Sequence, residues 1–522
     1  MNRWITGLLA ALCGGAAGLA HPPFGLLPGL LGYAGLLALL DRTSPERPLK
    51  SAFWRGWCAA FAYFAVSTWW VGEAFLVDAA AHGWMMPFAV SILPSGLALL
   101  WGAAAVLYRA PAPAGPHRVL VFAAAFGALE WVRGHLFTGF PWNLVGETWA
   151  AGSAVSQNAA WLGAYGLTVL TLGVAAAPGV LLRRGPPSRA AVAAVGIAFL
   201  TLAGMYAWGA ARLQPAALTP LRIRVVQANV DQKDKWRPEN LERIIADYLA
   251  LSTRPGPAPD VIIWPEGALP APMNAILAPE HPFAGTIAAA LKQGQTLMLS
   301  GYRIAGTLDD PQYFSSLFYL WREGPSLSGA AVYDKHRLVA FGEFLPFEDV
   351  LEPLGVKKLV AVGDGFTHGA PPAPVALQRP GVPIVQPLIC YESLYPGFTG
   401  GRGPRPGWIV NVSNDAWFGA TSGPWQHLNL ASYRAIEQGL PIVRSTPTGV
   451  SAVVDPYGRV ANGHRLPIGV AGVIDARLPA ALSGTPYVRW GELPFWLLVA
   501  LGAASAVTPR IRRRGSLKRE KP

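Results

Sequence analysis

Apolar runs of roughly 17–25 residues, each long enough to cross a hydrocarbon core, recur at about 4–20, 24–40, 52–76, 86–108, 118–136, 160–182, 190–210 and 491–508. This pattern predicts about eight membrane helices, seven before a long central segment and one after it. Within that segment the hydrophobic period shortens. From about Leu221, short β-type runs separated by Pro, Gly, Asp and Asn alternate with helical stretches at 239–252 and 284–292, the texture of an α/β domain. Strands are predicted at Ile223–Ala228, Asp260–Trp264, Thr296–Gly301, Ser316–Trp321, Ala330–Asp334, Val382–Cys390, Gly407–Val412, Ile442–Ser445, Ser451–Val454 and Val470–Asp475. So many strands in one segment imply two sheets with helices outside, an αββα sandwich, rather than a single open sheet. The stretch 340–381, rich in Gly and Pro and carrying Phe341, Phe344, Leu345, Phe347, Leu359 and Val360, reads as loops with exposed apolar tips suited to dipping into lipid. The predicted organisation is a membrane domain over 1–212, an outer α/β domain over 213–488, a last membrane helix over 489–509 and a basic tail over 510–522.

Composition agrees with this division. The length of 522 residues excludes a single soluble domain, and a composition 52% hydrophobic and only 14% charged argues against a wholly soluble chain. A net charge of +12 would point to nucleic acid only if the cations shared a face of one domain. Instead many of them flank apolar runs: Arg3; then Arg42, Arg47, Lys50 and Arg55; Arg109 and Arg118; Arg183, Arg184 and Arg189; and the tail Arg510, Arg512, Arg513, Arg514, Lys518, Arg519 and Lys521. The intervening loops around 77–85 and 137–159 carry no Lys or Arg. By the positive-inside rule the N-terminus and tail are cytoplasmic and 211–490 lies outside, the layout of a multi-pass membrane protein; no nucleic-acid partner is expected. Residues 1–20 also have the form of a signal peptide, with Arg3, an apolar centre and the small-residue end Gly18-Leu19-Ala20, but the charge alternation is kept with this stretch retained as a span. The aromatic loop from Gly139 to Trp149 reads either as a contact with lipid headgroups or as an ordinary aromatic belt, and Glu130 and Arg133 as an interfacial pair near a helix end. Three scattered cysteines, Cys13, Cys58 and Cys390, make neither a disulfide framework nor a metal site, and no cofactor is implied.

Candidate chemistry collects at three strand ends. Val261-Ile262-Ile263-Trp264-Pro265-Glu266 ends in a carboxylate, Val332-Tyr333-Asp334-Lys335 in an ammonium, and Pro387-Leu388-Ile389-Cys390 in a thiol. Side chains at one edge of neighbouring strands can converge on a cleft. A thiol with pKa near 8.5 needs a base, and Glu266 is the candidate. Attack on a carbonyl creates an oxyanion, for which Lys335 supplies opposite charge with help from a backbone N–H near Tyr391; such stabilisation is worth roughly 2.7–4 kcal/mol per donor. Taken singly, each charge is more readily a solvated turn residue and the cysteine as readily a packed core thiol; it is their combination that points to covalent catalysis.

These blocks carry a resemblance. Trp264-Pro265-Glu266, Asp334-Lys335-His336 with Phe341-Gly342-Glu343, and Cys390-Tyr391-Glu392 resemble the Glu-Lys-Cys blocks of the nitrilase, or carbon–nitrogen hydrolase, superfamily. Joined to seven N-terminal membrane segments and one C-terminal, they resemble its membrane-bound apolipoprotein N-acyltransferase branch. Val226-Gln227-Ala228-Asn229 with Trp236 resembles the opening strand, and Asn411 to Phe418 the block after the nucleophile. The resemblance implies Glu266 as general base, Lys335 as oxyanion stabiliser and Cys390 as nucleophile, with Glu343 holding Lys335 charged, Tyr391 and Glu392 walling the pocket, and Trp236 and Trp417 where lipid enters; His427 is expected to be structural. It further implies ping-pong transfer of the sn-1 acyl chain of a phospholipid such as phosphatidylethanolamine, through a thioester, to the α-amine of the diacylglyceryl-cysteine of an apolipoprotein, with the loops of 340–381 acting as a lid. Two other readings stay open: a membrane-anchored amidase acting on a small substrate, against which eight helices are excessive for an anchor, and a lipid or lipoprotein transporter, against which the spans carry few charges beyond Glu73, Glu130 and Arg133.

Overall fold

The computed structural model describes residues 2–182, 185–351, 353, 365–377, 379–399 and 403–517. They form two compact units. One comprises Met1–Gly72, Met85–Gln214 and Thr485–Pro522, the other Glu73–Trp84 and Pro215–Gly484.

The first unit is helical, and each apolar segment of the sequence lies on helix: Arg3–Gly18, Gly32–Asp41, Pro48–Thr68, Met86–Arg109, Arg118–His135, Ala159–Ala176, Arg189–Arg212 and Leu493–Leu517. Among the described residues three helical stretches, Ala79–Arg109, Val155–Leu181 and Arg189–Arg212, are long and apolar enough to cross a membrane. Small residues let helices touch: a Cβ on Gly14 would collide with the Ala59 backbone, and one on Gly56 with the Trp101 carbonyl. Two expectations fail here. Glu130 and Arg133 pair at 2.5 Å with both side chains fully buried, and Trp101 Nε1 donates to the Glu130 carboxylate at 2.8 Å, so the pair is an interior one. The aromatic loop is likewise mostly packed inward, Trp142 against Trp70 with ring centres 4.3 Å apart, while Asn143 and Glu147 are buried.

The second unit is an α/β domain of eleven described strands. Strands β1 (Leu218–Gln227), β2 (Val261–Ile263), β3 (Thr296–Gly306), β4 (Pro311–Glu323), β5 (Ser326–Asp334) and β11 (Gly472–Pro479) form one sheet, in the order β11-β1-β2-β3-β4-β5. Strands β6 (Val385–Ile389), β7 (Trp408–Val412), β8 (Ile442–Ser445), β9 (Ser451–Val454) and β10 (Val460–Leu466) form the other, in the order β10-β9-β8-β7-β6. Apart from β11, which joins β1 antiparallel, the two sheets share one plan: three parallel strands, then two antiparallel ones. Period-two alternation divides each strand between two cores. Val225, Ile263 and Met298 meet Val385, Val410 and Val443 between the sheets. Their chain neighbours Val226, Ile262 and Leu297 turn the other way, against the helix Leu241–Ser252, and Ile409 and Ile442 turn toward the helix Gly423–Gln438. The order of layers is therefore helix, sheet, sheet, helix.

Differences from the expected strands have local causes. Strand β10 was not expected, because Val-Ala-Asn-Gly-His-Arg-Leu lacks an apolar run, yet it pairs with β9 at the sheet edge. Strand β6 starts at Val385 and stops at Ile389, leaving Cys390 beyond it. In the loop region Phe341 and Phe347 are exposed, but Leu345 is buried; Leu359 and Val360 lie outside the described residues.

Candidate active site

Cys390 sits on a strained turn. After five buried residues of β6 the chain enters the left-handed region at Cys390, with φ of 51°, and continues as a short helix over Cys390–Leu394. A non-glycine residue holds this conformation only where its surroundings impose it. Here Ser393 Oγ donates to the Cys390 carbonyl at 2.9 Å, and Glu392 Oε2 accepts from Ile389 N at 2.7 Å. The other Glu392 oxygen accepts from Tyr333 Oη at 2.8 Å, His336 N at 2.7 Å and Arg337 N at 3.1 Å, fastening the turn to the segment after β5. Burial raises the Glu392 pKa to about 7 even against these four donors.

Behind the turn lies a buried charged cluster. His427 Nδ1 is 2.9 Å from Asp415 Oδ1, and its Nε2 is 3.1 Å from Ser393 Oγ and 3.2 Å from the Cys390 carbonyl. Arg444 Nη2 donates to both Asp415 oxygens at 2.8 Å. Burial opposes the Asp415 charge, but Arg444 and His427 outweigh it and hold the carboxyl well below the usual range; burial and Arg444 together lower the His427 pKa. Bonded to Asp415 through Nδ1 and set against Ser393 and the Cys390 carbonyl through Nε2, His427 braces the turn.

Glu266 and Lys335 reach the same place from the other sheet. Glu266 follows β2 by three residues, and Lys335 directly follows β5, its N–H donating to the Ser315 carbonyl at 2.8 Å. The Asp334 carboxylate before it is clamped by Arg303 at 2.6 and 2.8 Å and by Ser316 at 2.6 Å. Lys335 Nζ donates to Glu266 Oε1 at 3.1 Å and to Glu343 Oε1 at 2.6 Å. The remaining carboxylate oxygens are also taken: Glu266 Oε2 accepts from Asn414 N at 2.8 Å, just past β7, and Glu343 Oε2 from Val339 N at 2.8 Å. All three side chains are buried. Burial disfavours the Lys335 charge, but Glu266 and Glu343 reverse the balance and raise its pKa well above the ordinary value. Glu343 is itself raised, by burial and by Glu266, against the pull of Lys335. Burial first, then the Glu266 charge, push the Cys390 thiol up to about 12, with Lys335 pulling the other way. The resting site therefore holds a thiol beside a carboxylate and a fixed ammonium.

The remaining expected residues divide. Tyr391 is buried, edge-on to Tyr395 with ring centres 5.3 Å apart. Trp236 is 43% exposed and Trp417 half-buried, neither enclosed in the core. Sequence reasoning passed over Lys235, which lies in the polar run Gln-Lys-Asp-Lys and is nevertheless buried. Its ammonium would stand 3.0 Å from a Cβ placed on Gly267 and lies over the Trp236 ring at 5.9 Å. Burial lowers its pKa to about 8, with Glu266 opposing the shift. The Asn414 N–H was missed too, being a main-chain donor that no side-chain pattern signals. Among the described residues no group of three or more His, Cys, Asp or Glu side chains is placed to hold a metal.

Comparison with known proteins agrees with this architecture. Residues 13–177 match the apolipoprotein N-acyltransferase N-terminal domain family, and residues 222–484 match the carbon-nitrogen hydrolase family. A curated apolipoprotein N-acyltransferase of Caulobacter vibrioides is 53% identical over 513 residues, covering 98% of this chain and 95% of the relative. That of Bradyrhizobium diazoefficiens is 39% identical over 528 residues, covering 98% and 96%, and that of Brucella melitensis 39% over 522 residues, covering 96% and 94%. With near-complete coverage of both partners at this identity, the chain belongs to the apolipoprotein N-acyltransferase family, its second unit being a carbon–nitrogen hydrolase domain.

Proposed function

We propose that this acyltransferase moves the sn-1 acyl chain of a phospholipid, through a thioester on Cys390, to the α-amino group of the N-terminal diacylglyceryl-cysteine of apolipoproteins. The observation that carries the reading is the meeting of three strand ends: a buried thiol on a strained turn, a carboxylate following β2, and an ammonium after β5 bound to that carboxylate and to a second one.

In the first half-reaction Glu266 takes the thiol proton as sulfur attacks the ester carbonyl. With a resting pKa near 12 the thiol ionises only as it attacks, so the base must be in place beforehand. Lys335 faces the oxyanion, its charge secured by Glu343. Collapse breaks the acyl–oxygen bond, and the lysophospholipid oxygen receives the proton from Glu266. In the second half-reaction the neutral α-amine attacks the thioester, Glu266 takes the amine proton, and that proton returns to sulfur as the amide forms and the thiol departs. Phosphatidylethanolamine is the donor we favour. Trp236 and Trp417 border the entry for lipid, and Phe341 and Phe347, both exposed, are the apolar tips that dip into the bilayer and cover the thioester.

The domain bounds 1–212, 213–488, 489–509 and 510–522 belong to the same proposal, as do about eight spans and an outer, periplasmic catalytic domain. The alternation of basic and uncharged loops and the helices over every apolar segment support this topology. Two lipid-anchored substrates then meet the site within the plane of one membrane. Intact mass after incubation with phosphatidylethanolamine tests the reading: one hydroxylamine-labile fatty acyl adduct on the wild type and none on Cys390→Ala is expected. No adduct on either protein, with the lipid shown to be intact, would overturn it in favour of small-amide hydrolysis.

A further inference from the structure

The helical unit contains a charged cavity of about 690 Å³ lined by Asp41, Arg42, Tyr108, Arg109, Arg118 and Leu182. It lies where the helices Gly32–Asp41 and Met86–Arg109 end and the helix Arg118–His135 begins. Three guanidinium groups share the lining with one carboxylate, and that carboxylate is already engaged: Asp41 Oδ1 accepts from Tyr108 Oη at 2.6 Å and Oδ2 from Arg118 Nε at 2.7 Å. Arg118 is 3% exposed and also gives Nη1 to the Gly115 carbonyl at 2.8 Å, but its Nη2 is buried with no hydrogen-bond partner among the described residues. Arg109 gives Nε to Thr43 Oγ1 at 2.9 Å, and Arg42 gives Nη2 to the Leu182 carbonyl.

The cavity therefore carries excess positive charge and an unmet donor on a guanidinium that Asp41 has already oriented. A buried donor left unmet costs about 1–3 kcal/mol, more on a charged group. What answers both is an anion with several acceptor oxygens, and the fork of an arginine matches phosphate geometry in particular. From these contacts we infer that this cavity is a phosphate-binding site, taking either the phosphodiester of an anionic lipid headgroup or a free phosphate group. Arg118 supplies its one unmet donor, Nη2, from a guanidinium already fixed by Asp41 and Gly115, while Arg109 and Arg42 close on the remaining oxygens. Basic pockets between membrane helices bind anionic headgroups by the same charge-assisted contacts. The inference does not depend on the acyl-transfer reading, because no group of the candidate active site takes part.

The test uses the full-length protein in detergent, with Arg109→Gln as the main variant because it leaves the Arg118–Asp41 pair intact; Arg42→Gln serves as a second. Native mass spectrometry compares retention of phosphatidylglycerol and of a chain-matched diacylglycerol that lacks phosphate, and thermal unfolding is followed with and without inorganic phosphate. Phosphatidylglycerol held by the wild type and weakened about 10-fold or more in Arg109→Gln, the scale of one charge-assisted hydrogen bond, with diacylglycerol unaffected, identifies a lipid headgroup. Stabilisation of the wild type but not the variant by inorganic phosphate, with no preference for phosphatidylglycerol, identifies a free phosphate. Equal lipid retention and equal phosphate response in wild type and both variants would overturn the inference.

Discussion

Lys335 Nζ lies 2.6 Å from Glu343 Oε1, closer than the 3.1 Å that separates it from Glu266 Oε1. The proposed base thus shares its ammonium with a second carboxylate that holds the tighter contact. Removing the Glu343 charge leaves Lys335 to Glu266 alone, drawing the base and the oxyanion donor onto each other. E343Q is expected to slow acyl-enzyme formation by about 100-fold, the scale of one disturbed electrostatic contact, while thermal unfolding shows the domain still folded. Single-turnover intact mass reads the rate, and an unchanged rate would remove Glu343 from the mechanism.

Glu266 raises the cost of ionising the thiol it is proposed to deprotonate, because its charge adds to burial in pushing Cys390 up to about 12. E266Q is therefore expected to have two opposite effects. Acylation by phospholipid should be lost, yet the Cys390 thiolate should form at lower pH than in the wild type. The rate of alkylation by iodoacetamide between pH 8 and pH 11 measures this, with C390A as the blank; a thiol made harder to ionise in E266Q would contradict the assignment.

Lys235 acts on Glu266 without a hydrogen bond between them being needed. Its burial lowers its pKa to about 8, so it carries a charge beside Glu266 through the neutral range and loses that charge above it. In K235M there is no such charge to lose. The decline of kcat/KM for acylation expected near pH 8 in the wild type should therefore be absent from the K235M profile, whereas a purely structural role would lower the whole profile without changing its shape.

Asp415 carries the stability of the turn's support. Its folded pKa is depressed, so its contribution is fully present above the ordinary carboxylate value near 3.9 and is lost as pH falls below it. D415N leaves Arg444 uncompensated in the interior and is expected to cost about 3–5 kcal/mol at pH 7. Urea unfolding at pH 7 and pH 3 should show the wild type losing part of its advantage over D415N at the lower pH; an equal gap at both would place the stabilisation elsewhere.

Much of the site was legible because strand-end chemistry is written locally. Val261-Ile262-Ile263 announces a buried strand, and a side chain three positions beyond its end must lie near the sheet edge, which located Glu266; the same logic located Lys335 and Cys390. Glu343 was placed by resemblance alone, since no periodic pattern surrounds it. Lys235 was not legible, because a lysine in a polar run looks solvated until a loop from another part of the domain covers it. Glu130 and Arg133 misled for the converse reason: three residues apart near a helix end, they resemble an interfacial pair, and packing against Trp101 takes them inside. Cys390 was expected within its strand, and the turn that follows is held by local bonds from Ser393 and Glu392 together with contacts to His427, Tyr333 and His336 that are distant in sequence.

The last strand of the catalytic layer is bonded to the first: β11 runs antiparallel to β1, with Gly472 opposite Gln227 and Arg477 opposite Arg222. During synthesis the open edge of β1 must wait for nearly the whole domain to emerge before it is closed. A chain stalled short of Gly472 already contains Glu266, Lys335 and Cys390 but has an unfinished sheet. Completion comes only one short helix before the final apolar helix at Leu493. The timing of translation thus couples the finishing of the sheet to the arrival of the final apolar helix, and a product truncated before Gly472 lacks the strand that closes β1.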